Sequence, residues 1–218
     1  MTRSEENYIK TIFHLGGNAS TPISTNAIAE QMETKPSSVT DMSKKLAEKG
    51  FVHHIKYHGV SLTELGIKMA LSIIRKHRLW EVFLVEKLDF TWDEVHEVAE
   101  QLEHIKSEKL IDQIDALLGY PKYDPHGDPI PNKDGQFPER DKQLLSDMPK
   151  KSTGVCVGVK DTSPTFLKFL DKNQIALGNT IQILDIEDFD QSLSILVNDK
   201  RLNISHQIAA NLYVKKQN

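Results

Sequence analysis

Histidine and glutamate residues recur at helical spacing in the middle of this chain. His96, Glu100, Glu103 and His104 stand at positions i, i+4, i+7 and i+8, so on a helix they would fall within a sector of roughly 100°. Apolar residues fill the adjoining sector, namely Val95, Val98, Ala99, Leu102 and Ile105. The four polar side chains are therefore predicted to flank a buried stripe.

The preceding segment carries a second pair of the same kind. His77 and Glu81 are four residues apart, and Glu81 interrupts the apolar run 79–85. A buried carboxylate must be paired or coordinated, because an isolated charge is costly to bury. Imidazole and carboxylate ligands without a thiolate suit Mn(II), Fe(II), Co(II) or Zn(II), and so many carboxylates favour the harder ions. A solvated face of i, i+4 pairs is the alternative interpretation.

A second pattern, near the N-terminus, is typical of a helix-turn-helix followed by a wing. Two short amphipathic helices flank the turn 32–35, and the second begins at Pro36, a favoured first-turn residue. Residues 51–62 then predict a short β-hairpin. An ordinary helical hairpin with a polar face is the alternative, and the wing makes it the weaker one.

The outward face of the second helix carries small hydroxyls and lysines suited to base edges and phosphates. The net charge of −4 argues mildly against nucleic acid, but the acidic excess lies in the middle third of the chain. The predicted DNA contacts are Lys35 in the turn, Pro36, Ser37, Ser38, Thr40, Asp41, Lys44 and Lys45 on this helix, and Lys56 and Tyr57 at the hairpin tip.

Length and composition bound the remaining possibilities. The 218 residues suffice for two domains, or for one domain with small additional ones. A composition of 39% hydrophobic and 27% charged residues is ordinary for a globular chain. The apolar runs are too short to span a bilayer, and the N-terminus lacks the pattern of a secretory signal. A single cysteine, Cys156, excludes a disulfide framework and a cysteine-based zinc site. We therefore expect a cytoplasmic protein without a membrane partner.

The remaining elements must position these groups. Helices are predicted at about 64–88 and 92–118. A proline- and glycine-rich loop follows at 119–138, and a short helix at 139–145. After residue 153, short alternating strands joined by a helical piece predict a small β-barrel. The expected fold class is mainly α with a small β domain.

These motifs together resemble the diphtheria-toxin-repressor family of metal-dependent transcriptional repressors, and within it the manganese-sensing branch. The resemblance covers nearly the full length and rests on segments in family order, at 6–12, 36–40, 75–81, 95–104 and 125–131. It implies a winged helix-turn-helix domain, a helical metal-binding and dimerisation domain and a C-terminal SH3-like β-barrel, which we place at 1–63, 64–145 and 153–218.

By position, the resemblance implies two metal sites. The ancillary site would be formed by His77, Glu81 and His96, and the primary, regulatory site by Glu100, Glu103 and His104. Iron-sensing members carry a cysteine where this chain has Glu100, and a glutamate there is typical of manganese sensors. Mn(II) is therefore the expected cofactor, Fe(II) is the second candidate, and Zn(II) or Co(II) would substitute.

Three positions depart from the family pattern. Asn7 stands where the first helix donates a Met or Asp ligand, and its neutral carbonyl is retained as a candidate ligand. Lys10 stands where some manganese sensors carry a second carboxylate. The C-terminal domain lacks an evident Glu/Gln ligand pair, so Asp161 is only a weak candidate there. Cys156 lies in an alternating apolar strand and is expected in the core.

We therefore expect a homodimeric repressor, and not an enzyme, that binds a palindromic double-stranded DNA operator when its metal is bound. The metal would be an effector that selects one conformation, in which the two DNA-reading helices match the half-site spacing. A dinuclear metal hydrolase is one rival, although the sequence supplies no separate nucleophile or base for it. A DNA-binding protein whose His/Glu face is merely structural is the other.

Overall fold

The structure is a computed structural model that describes residues 1–16, 22–55, 58–139 and 141–217. The chain divides into two compact units. The first unit comprises Met1–His77, Glu100–Ile111 and Pro131–Phe137. The second comprises Arg78–Ala99, Asp112–Ile130 and Pro138–Asn218. Each unit has its own hydrophobic core.

The first unit contains the predicted helix-turn-helix and wing. Its elements are α1 (Arg3–Gly16), α2 (Thr25–Gln31), α3 (Pro36–Glu48), the hairpin of β1 (Val52–Ile55) and β2 (Gly59–Leu62), and the N-terminal part of α4 (Glu64–Leu88). The Ser24 hydroxyl caps α2 by accepting from the Ala27 amide, and Pro36 occupies the first turn of α3. These elements agree with those expected from the sequence.

One core joins the elements of the first unit. Its fully buried side chains include Ile9 of α1, Ile28 of α2 and Leu46 of α3. The hairpin is tied to the start of α2 by an antiparallel bridge between Ile23 and Val60. Residue 59 at the start of β2 must be glycine, because φ there is +110° and an added Cβ would lie 2.1 Å from the Ile23 carbonyl oxygen.

The predicted single helix 92–118 is wrong, because the structure divides it into α5 (Val95–Leu102) and α6 (Glu108–Leu117). Ser107 directly precedes the second helix, and its hydroxyl accepts from the Leu110 amide at 3.3 Å and so satisfies an unpaired donor of the first turn. Glu103 and His104 therefore lie in a turn after α5, and their helical spacing from His96 does not persist.

The second unit contains an antiparallel sheet with strand order β3-β8-β4-β5-β6-β7. Its elements are β3 (Gln143–Leu144), a 3-10 helix (Leu145–Asp147), β4 (Thr153–Val159), α7 (Pro164–Lys172), β5 (Thr180–Ile186), β6 (Leu193–Val197), β7 (Lys200–Ile204), α8 (His206–Ala209) and β8 (Leu212–Lys216). Inward residues such as Ile181, Ile183 and Ile195 are fully buried, as the alternation predicts.

Two details of this unit differ from expectation. The short helix predicted at 139–145 is wrong, because within the described residues 141–145 the chain enters strand β3 and then a 3-10 turn that buries Leu145 in the core. The sheet is also not closed into the predicted barrel, since within the described ranges β3 and β7 are its two edges. The expected class, mainly α with a small β domain, is confirmed, with 44% of the residues helical.

Within the described residues, no helix is long and apolar enough to cross a membrane. The longest, α4, carries charged residues along its length, among them Arg75, Lys76 and Glu81.

Candidate metal centre and nucleic-acid interface

Three of the predicted metal ligands converge in the first unit. His77, Glu100 and Glu103 each offer one ligand atom, and these atoms lie within 4.8 Å of one another. Nδ1 of His77 is 2.7 Å from Oε2 of Glu103, whose side chain is fully buried. One imidazole and two carboxylates form a hard donor set of the kind that Mn(II) and Fe(II) prefer.

A lysine ammonium from α1 also lies in this cluster. Nζ of Lys10 donates to the two carboxylate oxygens of Glu103, at 2.8 and 2.9 Å, and to Oε1 of Glu100. The Lys10 side chain is 12% exposed, so this contact is largely shielded from water. Sequence analysis identified position 10 as a departure from the family but did not place its side chain among the ligands.

The pKa of Glu103 is set by opposing effects. Burial alone would raise the pKa of this carboxyl, but the hydrogen bonds and charges of His77 and Lys10 outweigh burial and lower it below its ordinary value. Glu103 is therefore an ionised carboxylate, the form in which it can coordinate a metal.

His104 lies against a residue that sequence analysis did not select. Its Nδ1 is 2.6 Å from Oε2 of Glu6, and its Nε2 is 3.8 Å from Oε1 of Glu103. Glu6 and Lys10 are four residues apart on α1 and so share a face of that helix. That spacing was the signal in the sequence that could have placed Glu6 beside the metal-binding residues.

Asn7 lies between Glu6 and Lys10 on α1, and its environment fits the predicted role of a ligand. The side-chain oxygen Oδ1 is buried, and among the described residues no hydrogen-bond donor reaches it. Burying a carbonyl oxygen without a hydrogen-bond partner costs about 1–3 kcal/mol, so such an oxygen is expected to take part in binding. Asn7 precedes Lys10, which contacts the cluster, by one turn of α1, and a cation that reached its oxygen would satisfy it. The donor types present, carboxylate, imidazole and amide oxygen, therefore fit the metal that the resemblance implies.

A second cluster of potential ligands lies in the second unit. Glu81, Asp124 and His126 are all buried, and their ligand atoms lie within 4.8 Å of one another. Oε1 of Glu81 is 3.8 Å from Nδ1 of His126 and 3.4 Å from Nδ1 of His96, whose side chain is 60% exposed. The segment 125–131 belongs to the family motifs, but Asp124 and His126 lie outside the predicted set of ligands.

Hydrogen bonds and a close backbone approach fix the conformation of the loop that carries His126. Oδ1 of Asp124 accepts from the amides of His126 and Asp128, at 2.8 and 2.9 Å. Gly127 between them has φ of +80°, and an added Cβ would lie 2.0 Å from the Val157 carbonyl oxygen. The imidazole Nε2 of His126 is 2.7 Å from the carbonyl oxygen of Trp92, which leaves Nδ1 facing Glu81.

The acids of this second cluster repel each other. Burial, and then the nearby charge of Glu81, raise the pKa of Asp124 to about 7. Burial would lower the pKa of His126, but Glu81 and Asp124 outweigh burial and raise it to about 9. A cation placed among these groups would stabilise both carboxylates in their ionised forms.

The predicted ancillary ligands are divided between the two units. His77 belongs to the first unit, whereas Glu81 and His96 belong to the second. The set His77, Glu81 and His96 therefore stays a prediction. Asp161 also stays a prediction as a ligand, and its Oδ1 accepts from the Ser163 amide at 2.8 Å.

Most of the predicted DNA contacts lie on the exposed face of α3. The exposed positions are Lys35, Pro36, Ser37, Ser38, Asp41, Lys44 and Lys45, and Thr40 is half-buried. Thr40 Oγ1 donates to the Pro36 carbonyl at 3.0 Å, and Lys44 Nζ is 3.5 Å from Asp41. Lys56 and Tyr57, the predicted contacts at the hairpin tip, lie outside the described residues. The roles of all ten in DNA binding stay predictions.

A buried carboxylate links α1 to α3. Oε1 of Glu5 accepts from Lys49 at 2.7 Å and from Lys45 at 2.9 Å, although the two lysines lie 40 or more positions further along the chain. The two lysines lower the pKa of Glu5 to about 2, with the Lys49 hydrogen bond as the largest cause. Lys45, predicted to contact DNA, is therefore also a structural partner of the first helix.

Comparison with known proteins identifies three consecutive family models in the chain. Residues 1–60 match the N-terminal DNA-binding domain of iron-dependent repressors, and residues 63–132 match their metal-binding and dimerisation domain. Residues 143–216 match the FeoA domain. These models follow one another with short gaps over nearly the full length.

Individual proteins similar to this chain are also transcriptional regulators or metal-dependent repressors. An HTH-type transcriptional regulator of Methanocaldococcus jannaschii is 37% identical over 118 residues, which cover 54% of this chain and 94% of that protein. The iron-dependent repressor IdeR of Mycobacterium leprae is 33% identical over 126 residues, covering 58% of this chain and 54% of IdeR. The solved structure of a manganese-dependent transcriptional repressor in complex with manganese is 34% identical, with a TM-score of 0.86, and covers 98% of this chain and all of that one.

Proposed function

Since this chain belongs to the diphtheria-toxin-repressor family, in its manganese-sensing branch, we propose that it is a homodimeric repressor whose binding to a palindromic operator requires Mn(II). It is a metal-dependent DNA-binding regulator of metal homeostasis and not an enzyme. The identity of the metal, the residues that bind it and the symmetry of the operator are the parts that we propose.

One observation carries the proposal. Helix α1 contacts the ligand cluster through Glu6, which pairs with His104, and it contacts the proposed DNA-binding helix α3 through Glu5, which pairs with Lys49. A change at the cluster can therefore reach α3 through the backbone of α1 and the ion pairs that Glu5 forms with the lysines of α3 and its end. A metal that binds one arrangement of α1 more tightly than others would shift the population toward that arrangement.

In this proposal the primary metal site is formed by Asn7, Glu100, Glu103 and His104, with His77 beside Glu103. Bound metal supplies positive charge that fixes carboxylates from separate helices in one geometry. Oxygen and imidazole donors favour Mn(II), with Fe(II) as the second candidate, and Zn(II) or Co(II) would substitute. A second site is proposed at Glu81, Asp124 and His126, with His96 next to Glu81.

The DNA-binding surface is proposed to be the exposed face of α3 together with the wing. Its small hydroxyls suit close approach to base edges, and Lys35 and Lys44 suit phosphates. Two copies in a symmetric dimer would present two such helices, so the operator would have two related half-sites about one helical turn apart or a multiple of it.

The test is an in vitro selection of operator DNA. Random duplexes are selected on the full chain in the presence of Mn(II), and the enriched sequence is then assayed with and without a chelator. We expect an inverted repeat whose binding is lost with chelator and restored by Mn(II). Equal affinity in both conditions would contradict metal regulation, and enrichment of unrelated sequences would contradict an operator.

A further inference from the structure

The ammonium of Lys10 lies where a metal-binding site needs a cation. It donates to three carboxylate oxygens, two from Glu103 and one from Glu100. These are the same oxygens that the proposed primary site requires as ligands. A divalent ion coordinated by these oxygens would lie close to the ammonium and be repelled by its positive charge, so the two cations compete for the same carboxylates.

Electrostatics explain why the lysine is held there. Glu103 is fully buried and carries its charge next to a second carboxylate, an arrangement that is unfavourable without a nearby cation. Lys10 supplies one positive charge, and its side chain is 12% exposed, compared with 50% for Lys45 and 43% for Lys49. A lysine has a long, flexible stem, so its head group can withdraw without movement of the helix backbone.

We propose that Lys10 is a tethered competitor of the divalent ion: its ammonium neutralises Glu100 and Glu103 in the metal-free protein and is displaced when metal binds. The inference rests on the proposed function for the location of the primary site. Its consequence is a weaker site, because the bonds of Lys10 must be broken before the carboxylates coordinate metal. The lysine thus sets the metal concentration at which the protein responds.

The first experiment measures Mn(II) affinity of the full chain by calorimetry. Lys10→Met keeps most of the side-chain volume and removes the charge. We expect it to bind Mn(II) about tenfold to a hundredfold more tightly, since a hydrogen bond to a charged group contributes about 1.5–3 kcal/mol. The matched control is Lys68→Met, which removes an exposed lysine of the same unit and should leave the affinity unchanged.

A second measurement compares thermal unfolding with and without Mn(II). Metal-free Lys10→Met should unfold at a lower temperature than wild type, because Glu100 and Glu103 lose their cation. At saturating Mn(II) this difference should disappear, since the lysine is displaced in the wild type as well. Lys10→Gln, which keeps a donor without the charge, provides the same comparison if Lys10→Met does not fold.

The outcomes separate this inference from the proposed function. If wild type binds Mn(II) and Lys10→Met binds it equally or more weakly, the competitor role is overturned while the metal site stands. If wild type binds no Mn(II) but Lys10→Met does, the lysine excludes the metal and is not displaced by it, which overturns the inference together with regulation by Mn(II). If neither protein binds Mn(II), both are overturned.

Discussion

Oε1 of Glu5 lies 2.7 Å from Nζ of Lys49, a bond that joins the first helix to the residue that ends α3. Glu5 is fully buried and its pKa of about 2 keeps it ionised, while Lys49 and Lys45 are about half exposed. The same helix contacts the ligand cluster through Glu6 and Lys10. α1 is therefore the element that joins this cluster to the helix proposed to contact DNA.

Glu5→Gln should uncouple these two helices. Because the partner lysines are partly solvated, each ion pair is worth about 0.5–1 kcal/mol, so operator affinity at saturating Mn(II) should fall about two- to tenfold. Mn(II) affinity should change less than operator affinity. Glu30→Gln removes an equal charge from an exposed position of α2 and is the control for general electrostatics. If the two variants bind operator alike, the link from α1 to α3 carries no coupling.

Asn7→Asp should strengthen the primary site. A carboxylate attracts a hard dication more strongly than the neutral amide oxygen, which is buried and has no hydrogen-bond partner in the described part of the chain. The variant should bind Mn(II) more tightly in calorimetry and reach full operator binding at lower Mn(II). Asn7→Ala should show the opposite change. If both variants behave like wild type, Asn7 is not a ligand, and α1 reaches the metal through Glu6 or not at all.

The second cluster should account for a separate equivalent of metal. Glu81→Gln and His126→Ala each remove a buried member of it, so bound Mn(II) per chain, measured by elemental analysis after dialysis, should fall by one. His96→Ala removes a neighbour that is 60% exposed and should have a smaller effect. A full loss of that equivalent in His96→Ala with none in His126→Ala would instead favour the ancillary site as predicted from the sequence.

Cys156 should be unreactive in the folded protein. Its side chain is buried, and burial raises its pKa to about 11, so at pH 8 only about one thiol in a thousand is ionised. Alkylation by iodoacetamide at pH 8 should therefore be slow in the native protein and fast in urea. Similar rates in both would place Cys156 at the surface, contrary to its position in the core of the sheet.

Patterns along the chain predicted the elements better than the contacts between them. The helix-turn-helix and wing were predictable because Ser24, Pro36 and Gly59 act locally, by capping, by starting a helix and by permitting a positive φ. The strands of the second unit were predictable because buried and exposed residues alternate. The break after Leu102 was not predicted, because apolar residues continue at helical spacing beyond it and hide the new start at Ser107.

The site was predictable in its residue types and less so in its partners. His77, Glu100 and Glu103 do converge, as their chemistry suggested. The contact of Lys10 with Glu100 and Glu103 spans 90 or more residues, and no local rule connects such positions. His126 lies in a loop without periodicity, so only its packing next to Glu81 identifies it as a potential ligand.

The central claim is that metal binding and operator binding are coupled, and linkage tests it most directly. Mn(II) affinity is measured by calorimetry with and without saturating operator DNA, for wild type, Glu103→Gln and His104→Ala. If Mn(II) strengthens operator binding by some factor, operator must strengthen Mn(II) binding by the same factor. We predict equal factors of at least about tenfold for wild type and their loss in both variants, with the dimers intact by size-exclusion chromatography. The same Mn(II) affinity with and without operator in wild type would contradict the account.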